Sequence, residues 1–247
     1  MNNIEIQKMA DMENAYWWHI GKNHLVNALI GHYYKDQNDL NILEIGCGAG
    51  NLTHGLQKYG NVKGFDISPS AIEFCRNKGL NDVHVQDVSQ MDHTPYAGQF
   101  NLILALDVLE HIQDDLLVMS KVRDMLAPGG MFFINVPAHK FLWSEHDEAL
   151  EHKRRYHSVE LKKKLIDSGF EIVSKSYFVS ITSPGIILYR FWNNIFGRSA
   201  YPKTSYVILP KFLNDIMVKT LELETRMLIK FGLPFGVTLN IIARKRF

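Results

Sequence analysis

Between Asn41 and Leu52 the chain reads Asn-Ile-Leu-Glu-Ile-Gly-Cys-Gly-Ala-Gly-Asn-Leu, and this stretch restricts the possible folds more than any other. Ile42, Leu43 and Ile45 make a short apolar run suited to a buried parallel strand. Gly46, Gly48 and Gly50 break it before a helix-like segment opens at Asn51. The predicted unit is therefore a strand, a tight glycine turn and a helix start. Glycines let the backbone come close to a ligand, and a helix N-terminus adds free N–H donors and a partial positive charge. A glycine turn alone fits many nucleotide binders, so the residues at the ends of the next two strands decide.

A second apolar strand over 62–65 ends in Asp66, twenty residues after Gly46, where α/β nucleotide sites place the acid that holds ribose hydroxyls. A third strand, 83–85, is followed by Asp87, positioned to accept from an adenine amino group. Asn51 stands where a dinucleotide fingerprint needs its third glycine, which argues against a nicotinamide cofactor. Glu44, two residues before the turn, lies under it, to receive an ammonium group or to orient the loop. Leu43-Glu-Ile-Gly-Cys-Gly-Ala-Gly50 with the two strand-end acids resembles the class I, Rossmann-like S-adenosylmethionine-dependent methyltransferases, over about residues 40–170. The resemblance implies that Glu44, Gly46, Cys47, Gly48, Asp66, Ile67, Asp87, Val88 and the backbone at Leu106 hold S-adenosyl-L-methionine, with S-adenosyl-L-homocysteine as product.

The whole chain sets broad bounds. Its 247 residues suffice for one large α/β domain with an insertion, and a composition of 46% apolar and 21% charged residues is ordinary for a globular protein. A net charge of +1 gives no general polybasic character, so no nucleic acid is expected as a partner. Cys47 and Cys75 are the only cysteines, too few for a disulfide framework or a thiolate zinc cluster, which points to a reducing, cytoplasmic location. No apolar run of 18 residues occurs, and no signal-like apolar core follows Met1.

In chain order, residues 4–14 and 23–34 read as helices of an N-terminal cap spanning 1–38. Between them lies Tyr16-Trp17-Trp18-His19, followed by Lys22. Two readings stay open: an aromatic wedge holding the cap to the domain, or a lid over the cofactor tail or substrate. This segment is similar to a branch of the type 11 and type 23 methyltransferases, which implies that Trp18 and Lys22 help bind the cofactor. The core then alternates strand and helix, as in a parallel sheet with crossovers: helix 51–59, helix 69–77 capped by Ser68, strand 100–106 delivering Asp107, and a helix carrying Ile112, Leu116, Met119, Val122 and Leu126. Ala127-Pro-Gly-Gly130 is expected to stop that helix before strand 131–136.

Residues 142–157 pack four acids, three histidines, three basic residues and two large aromatics into sixteen positions after the fifth strand. A loop leaving that strand's carboxyl edge passes the methyl group's destination. The candidates for taking a proton are His111, which the Leu-Glu-His segment of ubiquinone-biosynthesis O-methyltransferases implies by resemblance, and His146, Asp147 and His152 in the loop. Arg154 and Arg155 form a fork suited to carboxylate or phosphate, and with Tyr156 and Asp107 make the expected acceptor site. The alternatives are a solvated salt-bridge lattice, or a metal held by His146, Asp147 and His152; no metal is expected. For Glu110 and His111 the structural alternative is an acid opening a helix.

A helix over 158–168 and a strand over 170–179 come next, and the last strand is 237–243, antiparallel by resemblance. Residues 181–235 are thus a helical insertion before it. Residues 186–196 are apolar and aromatic, whereas Lys211, Asp215, Lys219, Glu222, Arg226 and Lys230 make a charged stripe on a largely apolar helix, with Glu224 on the apolar side in need of a partner or a raised pKa. The insertion serves as domain core, as a homodimer interface, as a lid over a hydrophobic acceptor or as a peripheral membrane contact. The expected fold is a single α/β domain with a seven-stranded, mostly parallel sheet. The expected activity is O-methylation of a small-molecule, glycan or lipid-like acceptor. N-methylation of a peptide, protein or amine, a non-catalytic cofactor-binding scaffold and a nicotinamide-dependent reductase are the competitors.

Overall fold

The computed structural model describes Met12 and residues 15–35, 37–196 and 209–246. Strand β1 (Leu40–Ile45) sends Leu43 and Ile45 into one apolar layer and Leu40 and Ile42 into the other, as a strand with helices on both faces must. Beside it run β2 (Gly60–Asp66), β3 (Val83–Val85), β4 (Phe100–Leu106), β5 (Leu126–Pro137), β6 (Phe170–Phe178) and β7 (Thr238–Lys245), in the spatial order β3-β2-β1-β4-β5-β7-β6. All neighbouring pairs are parallel except those of β7, which lies antiparallel to both β5 and β6. This is the seven-stranded, mostly parallel α/β sheet with an antiparallel last strand that the sequence leads one to expect.

The helices are α1 (Trp17–Tyr33), α2 (Asn51–Leu56), α3 (Pro69–Asn77), α4 (Asp115–Met125), α5 (Glu145–Ala149), α6 (Ser158–Asp167), α7 (Ser183–Phe196) and α8 (Lys211–Phe231). Leu25, Leu29 and Ile30 of α1, Leu52 and Leu56 of α2, and Leu221 and Leu228 of α8 share one core layer. Val118, Met119 and Val122 of α4 and Leu161 and Leu165 of α6 share the other. Helices α1 and α8 cross where Gly21 meets Leu221; an added Cβ would stand 2.2 Å from Leu221 Cδ1, so the approach demands glycine.

Several boundaries differ from expectation. The second helix begins earlier than the expected Asn23; Trp17 and Trp18 lie in the first turn of α1, where Trp18 packs 6.0 Å from the Phe178 ring and Asn214 of α8 accepts from the Trp17 N–H. The helix expected over 4–14 lies, but for Met12, outside the described residues. The helix expected from Ile112 begins at Asp115, because the Asp114 side chain caps it by accepting from Leu117 N at 3.0 Å. Pro128, Gly129 and Gly130 do not end that helix. They lie inside β5, whose register against β4 jumps from Phe100–Leu126 to Leu102–Met131, the kind of irregularity that tolerates proline and glycine in a strand. Helix α6 is capped by His157 instead of Ser158. Glu224 gains the partners it required: it is fully buried and accepts from Ser180 N at 2.8 Å and Ile181 N at 2.7 Å, with burial raising its pKa.

Candidate active site

Open parallel sheets bind ligands where the strand order reverses, here between the carboxyl ends of β1 and β4. At that point Gly46, Gly48 and Gly50 adopt φ of 76°, 53° and 82°, which glycine takes without strain. A Cβ on Gly46 would stand 2.5 Å from Val108 Cγ2, so a side chain would also obstruct the cradle. Asp66, at the end of β2, accepts from the N–H groups of Gly48 and Ser68, each at 2.9 Å, and thereby ties the turn to the second strand. Asp87 accepts from Ser89 N at 2.9 Å, Ser89 Oγ at 2.6 Å and Gln90 Nε2 at 2.8 Å. Val88 is buried, while Ile67 is 73% exposed on the rim, as a side chain that waits for an adenine face would be. The carboxylates at two strand ends, the obstructable glycine turn and the exposed apolar rim fit an adenosyl ligand.

Glu44 is buried and accepts from Thr53 Oγ1 at 2.5 Å, which ties the loop to α2. Cys47 is buried; its hydrogen bond with Cys75, together with burial, pushes its thiol pKa up, which keeps it inert. Lys121, which belongs to no sequence motif, reaches from α4 to donate to the carbonyls of Val88, Ser89 and Met91 at 3.3, 2.7 and 2.8 Å and so pins the loop behind Asp87. Its one signal is a cation on an otherwise apolar helix face.

On the other side of the crevice, α1 supplies Lys22, whose Nζ donates to Asp107 Oδ2 at 2.9 Å and lies 6.0 Å from the Trp18 ring. Asp107 follows β4, beyond Leu106, with φ of 58°. A left-handed non-glycine residue costs roughly 1–2 kcal/mol, a strain that concentrates at functional sites. His139, just past β5, has φ of 60° and stacks on Phe235 at 4.7 Å.

The charged loop is neither a solvated lattice nor a fork of free arginines. Asp147 is fully buried and accepts from Ser144 N at 2.9 Å, His152 Nδ1 at 2.9 Å and Arg155 Nε at 2.7 Å. Burial opposes its ionisation, but His152 and Arg155 overcome that and hold the carboxyl well below its ordinary range. Because an ionised Asp147 can only accept, the His152 Nδ1 donates in this hydrogen bond, and Nε2 is the ring's other nitrogen. The His152 ring meets His111 edge-on at 4.8 Å.

Three residues expected to contact the acceptor have internal partners. Arg155 is buried between Asp147 and the Ala138 carbonyl, Arg154 pairs with Asp115 at 3.2 Å, and Tyr156 is wholly buried with its hydroxyl donating to Leu109 O and Asp115. Arg155 and Tyr156 are taken up by internal partners, because a buried guanidinium or phenol must find one, whereas Arg154 stays partly exposed. The alternative metal set of His146, Asp147 and His152 does not converge either. The ligand atoms that do, all within 4.8 Å of one another, belong to Glu110, His111 and His152.

Glu110 and His111 lie in a short 3₁₀ helix ahead of α4, not in α4 itself. Glu110 is fully buried in this 3₁₀ helix, Leu109–His111, and neither carboxyl oxygen has a hydrogen-bond partner among the described residues. Burial, reinforced by Asp107, raises its pKa well above the ordinary value. Arg190, the one charged residue in the apolar helix α7, donates to Leu142 O at 3.1 Å and lies 3.7 Å from Asp147, latching the insertion to the loop.

His19, His111 and His146 are all lowered from 6.5 to about 4, chiefly by burial, so each is neutral at pH 7. The unfolded chain therefore binds more protons than the folded one between about pH 4 and 6.5, and stability rises with pH across that window. Thermal melts are expected to show Tm falling as pH drops from 6.5 to 4, with a shallower fall in His19→Gln and His146→Gln. Equal slopes would contradict the assigned burial.

Comparison with known proteins accords with this geometry. The model of a family described as a methyltransferase domain, type 23, matches residues 21–175, more than half of the chain. The chain belongs to that family. This methyltransferase domain is of the class I, S-adenosylmethionine-dependent kind. The ubiquinone biosynthesis O-methyltransferase of Coxiella burnetii is 31% identical over 143 residues, covering 53% of this chain and 60% of that protein. That of Actinobacillus pleuropneumoniae is 29% identical over 154 residues, covering 55% and 66%. The domain thus spans about 60% of the length of such curated relatives. Among solved structures, a SAM-dependent methyltransferase from Archaeoglobus fulgidus superposes with a TM-score of 0.60 at 18% identity, covering 96% of this chain and 99% of that one. Phosphoethanolamine N-methyltransferase 2 of Haemonchus contortus, in complex with S-adenosyl-L-methionine, gives 0.60 at 17% identity, covering 91% of this chain and 53% of that one. At these identities the structures attest the fold.

Proposed function

We propose that the protein transfers the methyl group of S-adenosylmethionine to a hydroxyl of a small-molecule, glycan or lipid-like acceptor. The observation that carries this reading is the Asp147–His152 pair, 2.9 Å apart and buried beside Glu110 and His111. Methyl transfer from a sulfonium is an in-line displacement, so alignment of nucleophile and methyl group supplies most of the acceleration. The glycine turn, Asp66 and Asp87 would hold the nucleoside, and Lys22 with Asp107 would border its methionine end. A hydroxyl must also lose its proton; His152 Nε2 would take it while Asp147 stabilises the imidazolium, as carboxylate–imidazole pairs do. The names of the Coxiella burnetii and Actinobacillus pleuropneumoniae relatives favour an oxygen nucleophile.

The test is incubation with methyl-labelled S-adenosylmethionine and an extract fractionated into phenols, glycans, lipids and amines, with mass spectrometry locating the label. Label on oxygen is expected. Label only on amines would replace this reading with N-methylation, and cofactor binding without any transfer would leave a scaffold.

A second reading arises from the two partnerless oxygens of Glu110. With His111 and His152 they suit a divalent cation of the zinc or manganese type, which when bound lowers the pKa of an oxygen ligand. Dialysis against a chelator separates the readings. Activity that survives it supports His152 as the base, whereas activity lost and restored by metal assigns His152 as a ligand.

A further inference from the structure

Helix α8 hides one face and leaves another open. Leu221, Glu224, Thr225 and Leu228 are buried, whereas Phe212, Ile216, Lys219, Leu223, Arg226 and Lys230, spaced by four, three, four, three and four residues, form one exposed stripe. Phe212 is 72% exposed and Leu223 51%, values unusual for such side chains in a finished surface. The stripe holds three cations and no carboxylate, and none of the three forms an ion pair among the described residues. The neighbouring acids are already engaged, Asp215 with Lys211 at 3.0 Å and Glu222 with His24 at 3.0 Å.

We propose that the insertion docks on an anionic lipid surface through α8, with Phe212, Ile216 and Leu223 entering the interface and Lys219, Arg226 and Lys230 meeting the headgroups. Apolar and cationic side chains alternating on one exposed stripe describe a helix that lies in a membrane interface. None of the described helices is long and apolar enough to cross a membrane, so contact is from one side. A second copy of the chain fits less well. A two-fold interface brings the same patch against itself, which would set unpaired lysines and an arginine against their own kind, and interface cores are depleted in lysine. Docking of this kind is independent of the methyl acceptor's identity, but it would present the site to acceptors that partition into lipid.

Vesicle co-sedimentation of the full chain tests it, with vesicles of equal parts phosphatidylglycerol and phosphatidylcholine compared with phosphatidylcholine alone. Binding to the anionic vesicles is expected, weakening as salt rises. The variant K219Q/R226Q/K230Q should partition on the order of 100-fold more weakly, each cation near the surface contributing roughly fivefold. The variant F212S/I216S/L223S should lose binding to the anionic vesicles. Unchanged S-adenosylmethionine affinity by calorimetry shows that each variant is folded. A wild-type chain that stays in the supernatant with anionic vesicles, or a triple-glutamine variant that binds as well as wild type, would overturn the proposal. So would a lipid-free dimer in equilibrium sedimentation that F212S dissociates, since that result gives the face to a second copy.

Discussion

His152→Ala is expected to lower kcat by about 10²–10⁴-fold while leaving the affinity for S-adenosylmethionine as it is. The imidazole is tied by its Nδ1 to a fully buried carboxylate and touches His111, not the glycine turn, so its loss removes a proton acceptor and leaves the cofactor cradle intact. Single-turnover rates with the acceptor found in the labelling experiment give the measurement. Added imidazole should recover part of the rate if Nε2 is the base, because the vacated space lies beside Asp147. Turnover close to wild type would return the charged loop to a purely structural role.

Asp147→Ala should act first on stability. Removing that carboxylate leaves Arg155, itself buried, with the Ala138 carbonyl as its one remaining hydrogen-bond partner among the described residues, and strips Ser144 N and His152 of their acceptor. Breaking one side of a buried ion pair costs about 3–5 kcal/mol. In a chain of this size that corresponds to a fall in Tm of about 6–20 °C, measurable by calorimetric melting. Asp147→Asn keeps the shape and some hydrogen bonds, so its melt should lie between the two. If Asp147→Ala melts with wild type, the buried network does not hold the loop.

The division between what the sequence discloses and what it conceals depends on how local each signal is. Strands β1 to β5, the Ser68 cap and the glycine turn are written in apolar runs and turn residues, and Asp66 ends β2 where its spacing from Gly46 predicts. The acceptor side depends on long-range partners that no local pattern encodes. Arg155 and Tyr156 look available in sequence because nothing in their own stretch shows Ala138, Leu109 or Asp115 arriving beside them. Glu110 stands close before an amphipathic pattern, yet the helix itself begins five residues later, at Asp115. Arg190 and Lys121 do leave a local trace, a lone cation in an apolar helix face, and a cation so placed must be carried to a buried acceptor.

A sulfonium nucleoside lying against the turn after β1 is the premise on which every catalytic assignment rests, and calorimetric titration tests it most directly. Wild type should bind one S-adenosylmethionine per chain, and Asp66→Ala should bind it about 100-fold more weakly, as expected for loss of a charged group from two hydrogen bonds. Absence of heat with either S-adenosylmethionine or S-adenosylhomocysteine at millimolar concentration, or equal affinity in Asp66→Ala, would contradict it.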